Sequence, residues 1–282
     1  MTNLAFFIVM LLSLKQAPQK NFIQGEPSNI TVYSHVAVYN VGYQSDSTDP
    51  SIKNDTMALL LNNKTSVFGA YGNLNIDTAK YLDRKRGGKK YRFHLTPGPN
   101  YHIEYRIFKE NASIITYDEI AVIESPLFMY KENKSNLHWS ILEDTATISG
   151  YRCQKATCDF GNRKWNAWFA IDIPISDGPY KFCGLPGLII KVNDSQNYWS
   201  FTLTSFENKS YKYYEEIIRN KDAVSTNKDK FLSLLKSSYD NGFEMEQQYG
   251  LKFLNKIEEQ KQEYRDRALK ENNWIEKKNS KK

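Results

Sequence analysis

The stretch "KFCGLPGLIIKV" (residues 181–192) places two glycines and a proline directly before an apolar run. A type II turn takes proline at its second position, which presets φ, and glycine at its third, which supplies a positive φ. We therefore predict a type II turn with Pro186 and Gly187 at these two positions, followed by a strand that opens at Leu188. The stretch then forms a corner of a sheet.

The apolar residues after this turn predict a strand that is covered on both sides at its start. Leu188 and Ile190 point to one face and Ile189 to the other. We expect Gly184 to let a large ring, such as that of Trp165 or Trp168, approach the backbone. No side chain here moves a proton or holds a metal, so we assign the motif a structural role. The motif consists of Gly184, Leu185, Pro186, Gly187, Leu188 and Ile189.

The segments around the motif alternate apolar and polar residues with the period of two that is typical of strands. "LHWSIL" leads through "EDTA" into "TISGYRCQKATCDF", and Gly161-Asn162 turns that segment into "RKWNAWFAIDIPI" as a tight hairpin. "LIIKV" pairs through "NDSQN" with "YWSFTLTSF", where Trp199, Phe201 and Leu203 share the buried face. We predict that these strands are antiparallel.

The N-terminal half shows the same alternation. "NITVYSHVAVYNV" (residues 29–41) is a period-two strand, and "TMALLLNNKTSVFGAYG" contains another that ends at Asn-Asn-Lys. "KKYRFHLTPGPNYHIEYRIFKE" contains two strand runs divided by a Pro-Gly-Pro turn, which predicts a hairpin.

The character of the chain changes near residue 209, where helical spacing begins. Asn227 precedes an apolar helical pattern and is a candidate N-cap. The last helix carries only a thin apolar stripe on a charged surface, which predicts light docking on the sheet. That stripe consists of Leu254, Ile257, Tyr264 and Ala268.

The first residues predict export from the cytoplasm. "LAFFIVMLLSL" (Leu4–Leu14) is an eleven-residue apolar run, whereas a membrane-spanning helix needs about 20 apolar residues. Its length matches the apolar core of a secretory signal peptide, with cleavage expected near Ala17. An apolar N-terminal strand or anchor is the alternative. We expect a protein of the periplasm or one associated with the outer membrane, without a transmembrane span.

Together these patterns predict an α+β fold that is mainly antiparallel β: a curved, half-barrel-like sheet with C-terminal helices packed on it. We divide the chain into a signal peptide at residues 1–17, an antiparallel β-sheet domain with the motif at 18–208, and a helical, charged segment at 209–282 that packs on the sheet.

The motif block resembles the GLPGLI family of secreted bacterial proteins. The resemblance rests on "GPYKFCGLPGLIIKV", on the pattern from Trp139 to Ala156, on "GNRKWNAWFAIDIPISDGP" and on "NNWIE" near the end, where Trp274 replaces the proline of the family pattern. It implies a location in the cell envelope and a β-rich fold. The family has no established activity, cofactor or catalytic residues, so the resemblance implies no reaction.

Three cysteines allow at most one internal disulfide. Cys153 and Cys158 are five positions apart, or about 16 Å on a regular strand, whereas bonded cysteines need Cα atoms within roughly 7 Å. Cys183, before the turn, is therefore the expected partner, and we favour Cys158–Cys183 over Cys153–Cys183. A thiol metal site lacks any Cys-x-x-Cys spacing.

Two histidines lie at equal distances from the Pro-Gly-Pro turn. His94 and His102 could face each other across that hairpin, with Glu104 on the same face as His102. These three residues are the candidates for a metal site. Two solvent-facing histidines beside a loop are the favoured alternative, so we predict neither a metal nor a cofactor.

The aromatic side chains are the candidate ligand-binding residues. One curved sheet buries only part of them, so the remainder could line a cavity for an apolar ligand; the alternative is a plain core covered by the C-terminal helices. The candidates are Trp139, Trp165, Trp168, Phe169, Trp199 and Phe201. Nucleophile elbows, zinc-protease, phosphate-loop and dinucleotide motifs are all missing from the sequence, so we predict that the protein is not an enzyme.

The charge pattern argues against nucleic-acid binding. The net charge is +6 with dispersed lysines, and "DRKRGGKKYR" is interpreted as a solvated hairpin tip. We therefore expect a monomeric binding protein for an apolar ligand or a protein partner. One alternative is an envelope enzyme or chaperone that uses a metal or a reactive thiol. Another is a structural accessory of an outer-membrane assembly that makes contact through the charged helix from Lys252 to Lys270.

Overall fold

A computed structural model describes residues 30–85, 103–120, 125–215, 218–219, 223–248 and 257–276. These residues form one sheet with helices on its two faces. The strands are β1 Ile30–Tyr43, β2 Lys53–Leu61, β3 Thr65–Ala70, β4 Arg106–Glu110, β5 Ser113–Asp118, β6 Phe128–Asn133, β7 Ser140–Ile148, β8 Tyr151–Phe160, β9 Arg163–Ala170, β10 Ile189–Asp194, β11 Trp199–Tyr214 and β12 Val224–Ser225. The helices are α1 Tyr71–Lys85, α2 Lys228–Asp240, α3 Gly242–Gln248 and α4 Ile257–Lys270, with a 3₁₀ turn at Lys134–Asn136.

The sheet is open and almost entirely antiparallel. Its strand order is β12-β6-β5-β4-β3-β2-β1-β11-β10-β9-β8-β7, and the parallel pair is β12 with β6. This confirms the predicted fold class of a mainly antiparallel α+β protein. The first strand, β1, pairs with β11 over most of its length.

The hairpin between β8 and β9 forms where the sequence predicts it. Gly161 and Asn162 both have positive φ, at 60° and 58°, as a tight type I′ turn requires. A second tight turn at Ser149-Gly150 joins β7 to β8. "EDTA", which was expected to connect two strands, lies inside β7, where a register shift between Ile141 and Thr145 absorbs it.

The predicted type II turn at the motif is wrong. The positive φ belongs to Gly184, at 95°, and Gly187 lies outside that region. Gly187 is needed for space instead, because an added Cβ would overlap the carbonyl oxygen of Ala170 at the end of β9. The nearest ring to Gly184 is that of Trp139, at 3.9 Å from the same hypothetical atom. The two glycines therefore have the opposite roles to those predicted.

Helix α1 was not predicted. It packs on β2, β3 and β11 and buries Leu74 and Asp77 against the outer face of that part of the sheet. Asp77 accepts a hydrogen bond from Arg106 of β4 at 2.9 Å and another from the Tyr213 hydroxyl at 2.9 Å. Helix α1 is therefore held by a buried ion pair as well as by apolar contacts.

The C-terminal helices include one that packs on the sheet as predicted, α2, and one that does not, α4. β11 continues to Tyr214, beyond the expected boundary at residue 208. Asn227 caps α2 as predicted, accepting a hydrogen bond from the Lys230 amide at 2.9 Å, and Phe231 of α2 packs on Tyr130 of β6. Helix α4 contacts α2 and α3 rather than docking on the sheet. None of the described helices has the length and apolar character to cross a bilayer.

The loop between β9 and β10, residues 171–188, fills the inside of the curved sheet. Phe182 is fully buried, with its ring centroid 4.7 Å from that of Trp165. Lys109, on β4 in the other half of the sheet, donates to the Gly178 carbonyl at 2.5 Å and pairs with Asp177. The interior loop thus ties the two halves of the sheet together.

Candidate functional site

The structure buries most of the predicted aromatic candidates in the core. Trp165 and Phe201 are fully buried, and Phe169 and Trp199 are nearly so. Trp139 is half-buried, and its indole Nε1 donates to the Cys183 carbonyl at 2.8 Å.

In the part of the chain that the structure describes, the interior loop packs against these rings and fills the space that an apolar ligand would need. Tyr180 of that loop stacks with Phe201 at 6.3 Å between centroids, and Phe182 lies against Trp165. The expectation of an apolar ligand chamber is corrected accordingly. A cavity of about 160 Å³ lies elsewhere, between α3 and α4, and is lined mainly by polar groups.

The predicted disulfide is not formed. Cys153, Cys158 and Cys183 are free and buried. Burial raises the pKa of each thiol, and that of Cys158 to about 12. Because the thiolate is the species that attacks in disulfide exchange, burial disfavours both bond formation and thiol chemistry at these positions.

The predicted metal site falls largely outside the described residues, which include neither His94 nor His102. Glu104 is described, and burial raises the pKa of its carboxyl. Within the described ranges, no group of three or more His, Cys, Asp or Glu side chains is arranged to hold a metal ion.

Two further carboxyls close to Glu104 have altered acidity. Burial, with a contribution from Glu104, raises the pKa of both Asp118 and Glu119 to about 7. The Glu119 amide donates a hydrogen bond to the Asp118 carboxylate at 2.9 Å, and this bond partly offsets the effect of burial on the pKa of Asp118. These groups change charge near neutral pH, a behaviour that the sequence pattern did not predict.

Trp168 differs from the other aromatic candidates because it lies on the outer face of the sheet and is partly exposed. Its register partners are Lys155 on β8 and Lys191 on β10. Directly opposite residues of an antiparallel pair point to the same face, so the tryptophan lies between two lysines. The Lys155 ammonium is 5.7 Å from the centroid of the Trp168 ring.

The same row continues across the sheet with polar side chains. Lys191 is opposite Thr202 on β11, Thr202 is opposite Asn40 on β1, and Asn40 is opposite Thr56 on β2. All of these side chains are exposed or partly exposed. We call this row, with its neighbours on β8–β11, the outer polar face.

A parallel row adds hydrogen-bonding groups to the outer polar face. It contains Thr157, Asn166, Asn193 and Ser200, which are register partners in turn. Asn193 donates to the Asn197 side chain at 2.8 Å, and this bond fixes its orientation.

The charged groups on this face are mostly positive. Lys164, on the same side of β9 as Trp168, is exposed and lies opposite Asp159. Lys164, Lys155 and Lys191 thus place three cations on this face, against the single carboxylate of Asp159. The outer polar face therefore combines a flat aromatic ring, hydrogen-bonding groups and a local positive charge.

A buried ionic centre lies on the inner side of the sheet. Lys181 of the interior loop is fully buried and pairs with Glu132 of β6 and Glu276 near the C-terminus. Lys228, at the start of α2, bridges the same two carboxylates at 2.5 and 3.0 Å. Four alternating charges thus join the interior loop, β6, α2 and the C-terminal segment.

The charges of this centre stabilise one another. Burial alone would lower the pKa of Lys181, but Glu276, followed by Tyr130 and Glu132, raises it well above its ordinary value. Burial would raise the pKa of Glu276, but Lys181 and then Lys228 lower it below its ordinary value of 4.5. Both groups are therefore ionised at neutral pH, and the centre is a structural ion-pair network.

Sequence reasoning did not single out this network or Arg163, which binds the C-terminal segment. The available signal was "NNWIE", because four of its five residues have uncharged polar or apolar side chains that can be buried by specific contacts at the end of a charged helix, and this indicates a docked segment. The sequence predicts that "EKKNSKK" (residues 276–282) is frayed; this is wrong for Glu276, which is buried in the ion-pair network, and residues 277–282 lie outside the described ranges.

Comparison with known proteins gives a family of unknown role and a distant structural likeness. Residues 160–191 match the model of a family described as "Protein of unknown function (Porph_ging)". No curated protein matches. Two crystal forms of PNGF-II, in space groups C2 and P21, are similar at 13% identity with a TM-score of 0.47. The match covers 73% of this chain but only about a third of the PNGF-II chain, at 33% and 34%.

Proposed function

We propose that this chain is a non-enzymatic binding protein of the bacterial cell envelope that binds an acidic polysaccharide on its outer polar face. The observation that carries the proposal is the row Lys155–Trp168–Lys191, a partly exposed tryptophan between two lysines on a sheet face. This row can present an apolar ring and two cations to one ligand, which favours a binding role.

The chemistry of the face selects this ligand class. An indole offers a flat apolar surface, and this complements the apolar face of a sugar ring. Asn166, Asn193 and Thr202 supply donors and acceptors for hydroxyl groups. The lysines pair with carboxylates, and because each exposed pair contributes little, a repeating polymer gains affinity by multiple contacts.

The filled interior favours this ligand over the apolar one expected from composition. Phe182 and Tyr180 occupy the space between the sheet halves, so apolar ligands have no room there. The buried thiols, whose pKa values are raised, likewise argue against a redox enzyme. Export and membership of the GLPGLI family remain part of the proposal, supported by the N-terminal apolar run and the match over residues 160–191.

Titration with polygalacturonate, compared with neutral dextran, tests the proposal by calorimetry. We expect binding of the acidic polymer only, weakened at high salt because exposed charges are screened. Trp168→Ala should lower the affinity at least tenfold, and Lys191→Gln several-fold. Lys212→Gln, an exposed lysine towards the far end of β11, is the matched control and should bind normally.

Two results would overturn the proposal. One is equal behaviour of polygalacturonate and dextran with the wild-type chain. The other is binding of polygalacturonate that Trp168→Ala leaves unchanged, because non-specific attraction to a basic protein does not depend on that ring.

A further inference from the structure

The C-terminal segment, residues 273–276, lies in a groove that binds it in the way a protein binds a peptide. We call this the tail groove; it is formed by residues 44–45 after β1, by Arg163 and by Trp199. The Arg163 guanidinium donates to the Trp274 carbonyl at 2.6 Å and to the Ile275 carbonyl at 3.2 Å, while Asp194 holds it in place at 2.8 Å. Most of these contacts involve main-chain atoms of the segment.

Asn273 is the first side chain that the tail groove recognises. It is 1% exposed. Its Nδ2 donates to the Gln44 carbonyl at 2.8 Å, and its Oδ1 accepts from Arg163 at 2.6 Å. The Trp199 indole donates to the carbonyl of Asn273 at 2.9 Å. Both ends of the amide and the main chain are therefore satisfied.

Glu276 is the second recognised side chain. Its carboxylate enters the ionic centre, where it accepts from Lys181, Lys228 and the Tyr180 hydroxyl. The tail groove and the ionic centre together select the pattern Asn-x-x-Glu, with the main chain between the two side chains held by Arg163.

Helix α4, which delivers this segment, is held far less well. None of its residues is buried. Its contact with α3, where Tyr264 meets Phe243, leaves the cavity of about 160 Å³. Within the described chain, Gln260 Oε1 on α4 is enclosed without a hydrogen-bond partner. Buried polar atoms are normally satisfied, so this interface is imperfect.

Residues 273–276 are bound firmly, whereas helix α4, which precedes them, is bound weakly. This combination permits exchange of the segment between two copies of the chain. We infer that the tail groove is a peptide-binding site that also accepts residues 273–276 of a second copy of this chain, giving a symmetric dimer by reciprocal exchange. Every contact of the groove is kept in such a dimer, because each copy supplies one groove and one segment. Among the residues that the structure describes, the contacts that this exchange breaks are those of α4. The inference is independent of the ligand of the outer polar face.

Cross-linking between full-length chains tests this inference. The Ser47 amide donates to the Asn272 side chain at 3.0 Å, and both residues are exposed. A Ser47→Cys chain and an Asn272→Cys chain, refolded together, receive a short bis-maleimide, which cannot reach the buried native thiols. We expect a cross-linked heterodimer whose yield rises with protein concentration.

The matched control keeps the new cysteine but removes the two recognised side chains, those of Asn273 and Glu276. Asn272→Cys combined with Asn273→Ala and Glu276→Gln should give at least tenfold less heterodimer with the same Ser47→Cys partner, while circular dichroism checks that it is folded. A chain carrying both Ser47→Cys and Asn272→Cys calibrates the reagent through its intrachain link. If that link forms but mixed chains give no heterodimer at any concentration, the inference is wrong.

Discussion

At the scale of single residues, Gly184 and Gly187 show how one motif contains two different requirements. Gly184 has φ of 95°, a conformation that costs an L-residue about 1–2 kcal/mol. Gly187 has an ordinary φ but no room, because its Cα faces the Ala170 carbonyl and the Phe169 ring. Backbone strain from a side chain at Gly184 can be absorbed locally. A side chain at Gly187 would instead overlap the Ala170 carbonyl, and relieving that overlap requires β9 and β10 to separate.

These glycines predict an order of stability. Gly187→Ala should lower the free energy of unfolding by more than 3 kcal/mol, because the backbone of β9 must move. Gly184→Ala should lower it by about 1–2 kcal/mol. Urea denaturation followed by tryptophan fluorescence measures both. Equal losses would mean that conformation rather than space governs the motif.

The same residues show the limit of local turn rules. Pro186-Gly187 fits a type II turn when only neighbouring residues are considered. In the folded chain, hydrogen bonds from the Ala170 amide to the Leu188 carbonyl and from the Leu188 amide to the Ile173 carbonyl align this stretch with β9. These partners are distant in sequence, so the pattern alone predicted that glycine is needed here but not why.

At the scale of elements, alternation predicted strands better than helices. The pairing of β8 with β9 and of β10 with β11 follows from period-two patterns joined by turns that the sequence marks clearly. Helix α1 escaped prediction because its side chains are polar on average, and its anchor is the Asp77–Arg106 pair across the sheet. An ion pair with a partner 29 positions away leaves no periodic signal.

The C-terminal segment yields a prediction about pH. Because Lys181 and Lys228 lower the pKa of Glu276 in the folded chain, this carboxylate contributes stability above pH 4.5 that is lost as the pH falls through its folded-state pKa. Glu276→Gln should therefore cost about 3 kcal/mol at pH 7, since it unbalances a buried ion pair. The difference from wild type should shrink steadily below pH 4.5 in chemical denaturation.

Glu271→Gln is the matched control for that experiment. Glu271 lies just before this segment, and its ion pair with Lys53 is partly exposed, at 26% for the Glu271 side chain and 36% for that of Lys53. Such pairs contribute about 0–1 kcal/mol. The opposite pH dependence expected from Asp118 and Glu119, whose pKa values are raised, is common to all three proteins and cancels in the differences. A pH-independent loss in Glu276→Gln would contradict the assigned role of its charge.

At the scale of the whole molecule, the arrangement is an open sheet whose inner face is covered by its own loop. Composition revealed an excess of aromatic residues on strands, and one sheet face cannot bury them all. What the sequence could not reveal is that residues 171–188 fold inward. Lys181 in this loop and Lys109 of β4, which binds the loop, look like surface residues in a linear pattern, yet both are almost fully buried. The expected binding chamber is therefore occupied by the chain itself.

Removing the centre of that loop should restore the chamber. Phe182→Ala deletes a fully buried ring that touches Trp165, Phe160 and Phe201, so we expect a loss of about 3–5 kcal/mol. Apolar cavities of this kind stay dry and bind benzene or xenon, and either probe should raise the melting temperature of the variant but not of wild type.

Phe182→Leu, with a smaller cavity, should lose less stability and respond less to the two probes, which keeps the test usable if the alanine variant unfolds. Phe206→Ala, on a partly exposed ring of β11, should show neither effect. Because the interior loop is the reason the chamber is closed, variants at Phe182 that fold with nearly wild-type stability and ignore both probes would contradict this account of the fold.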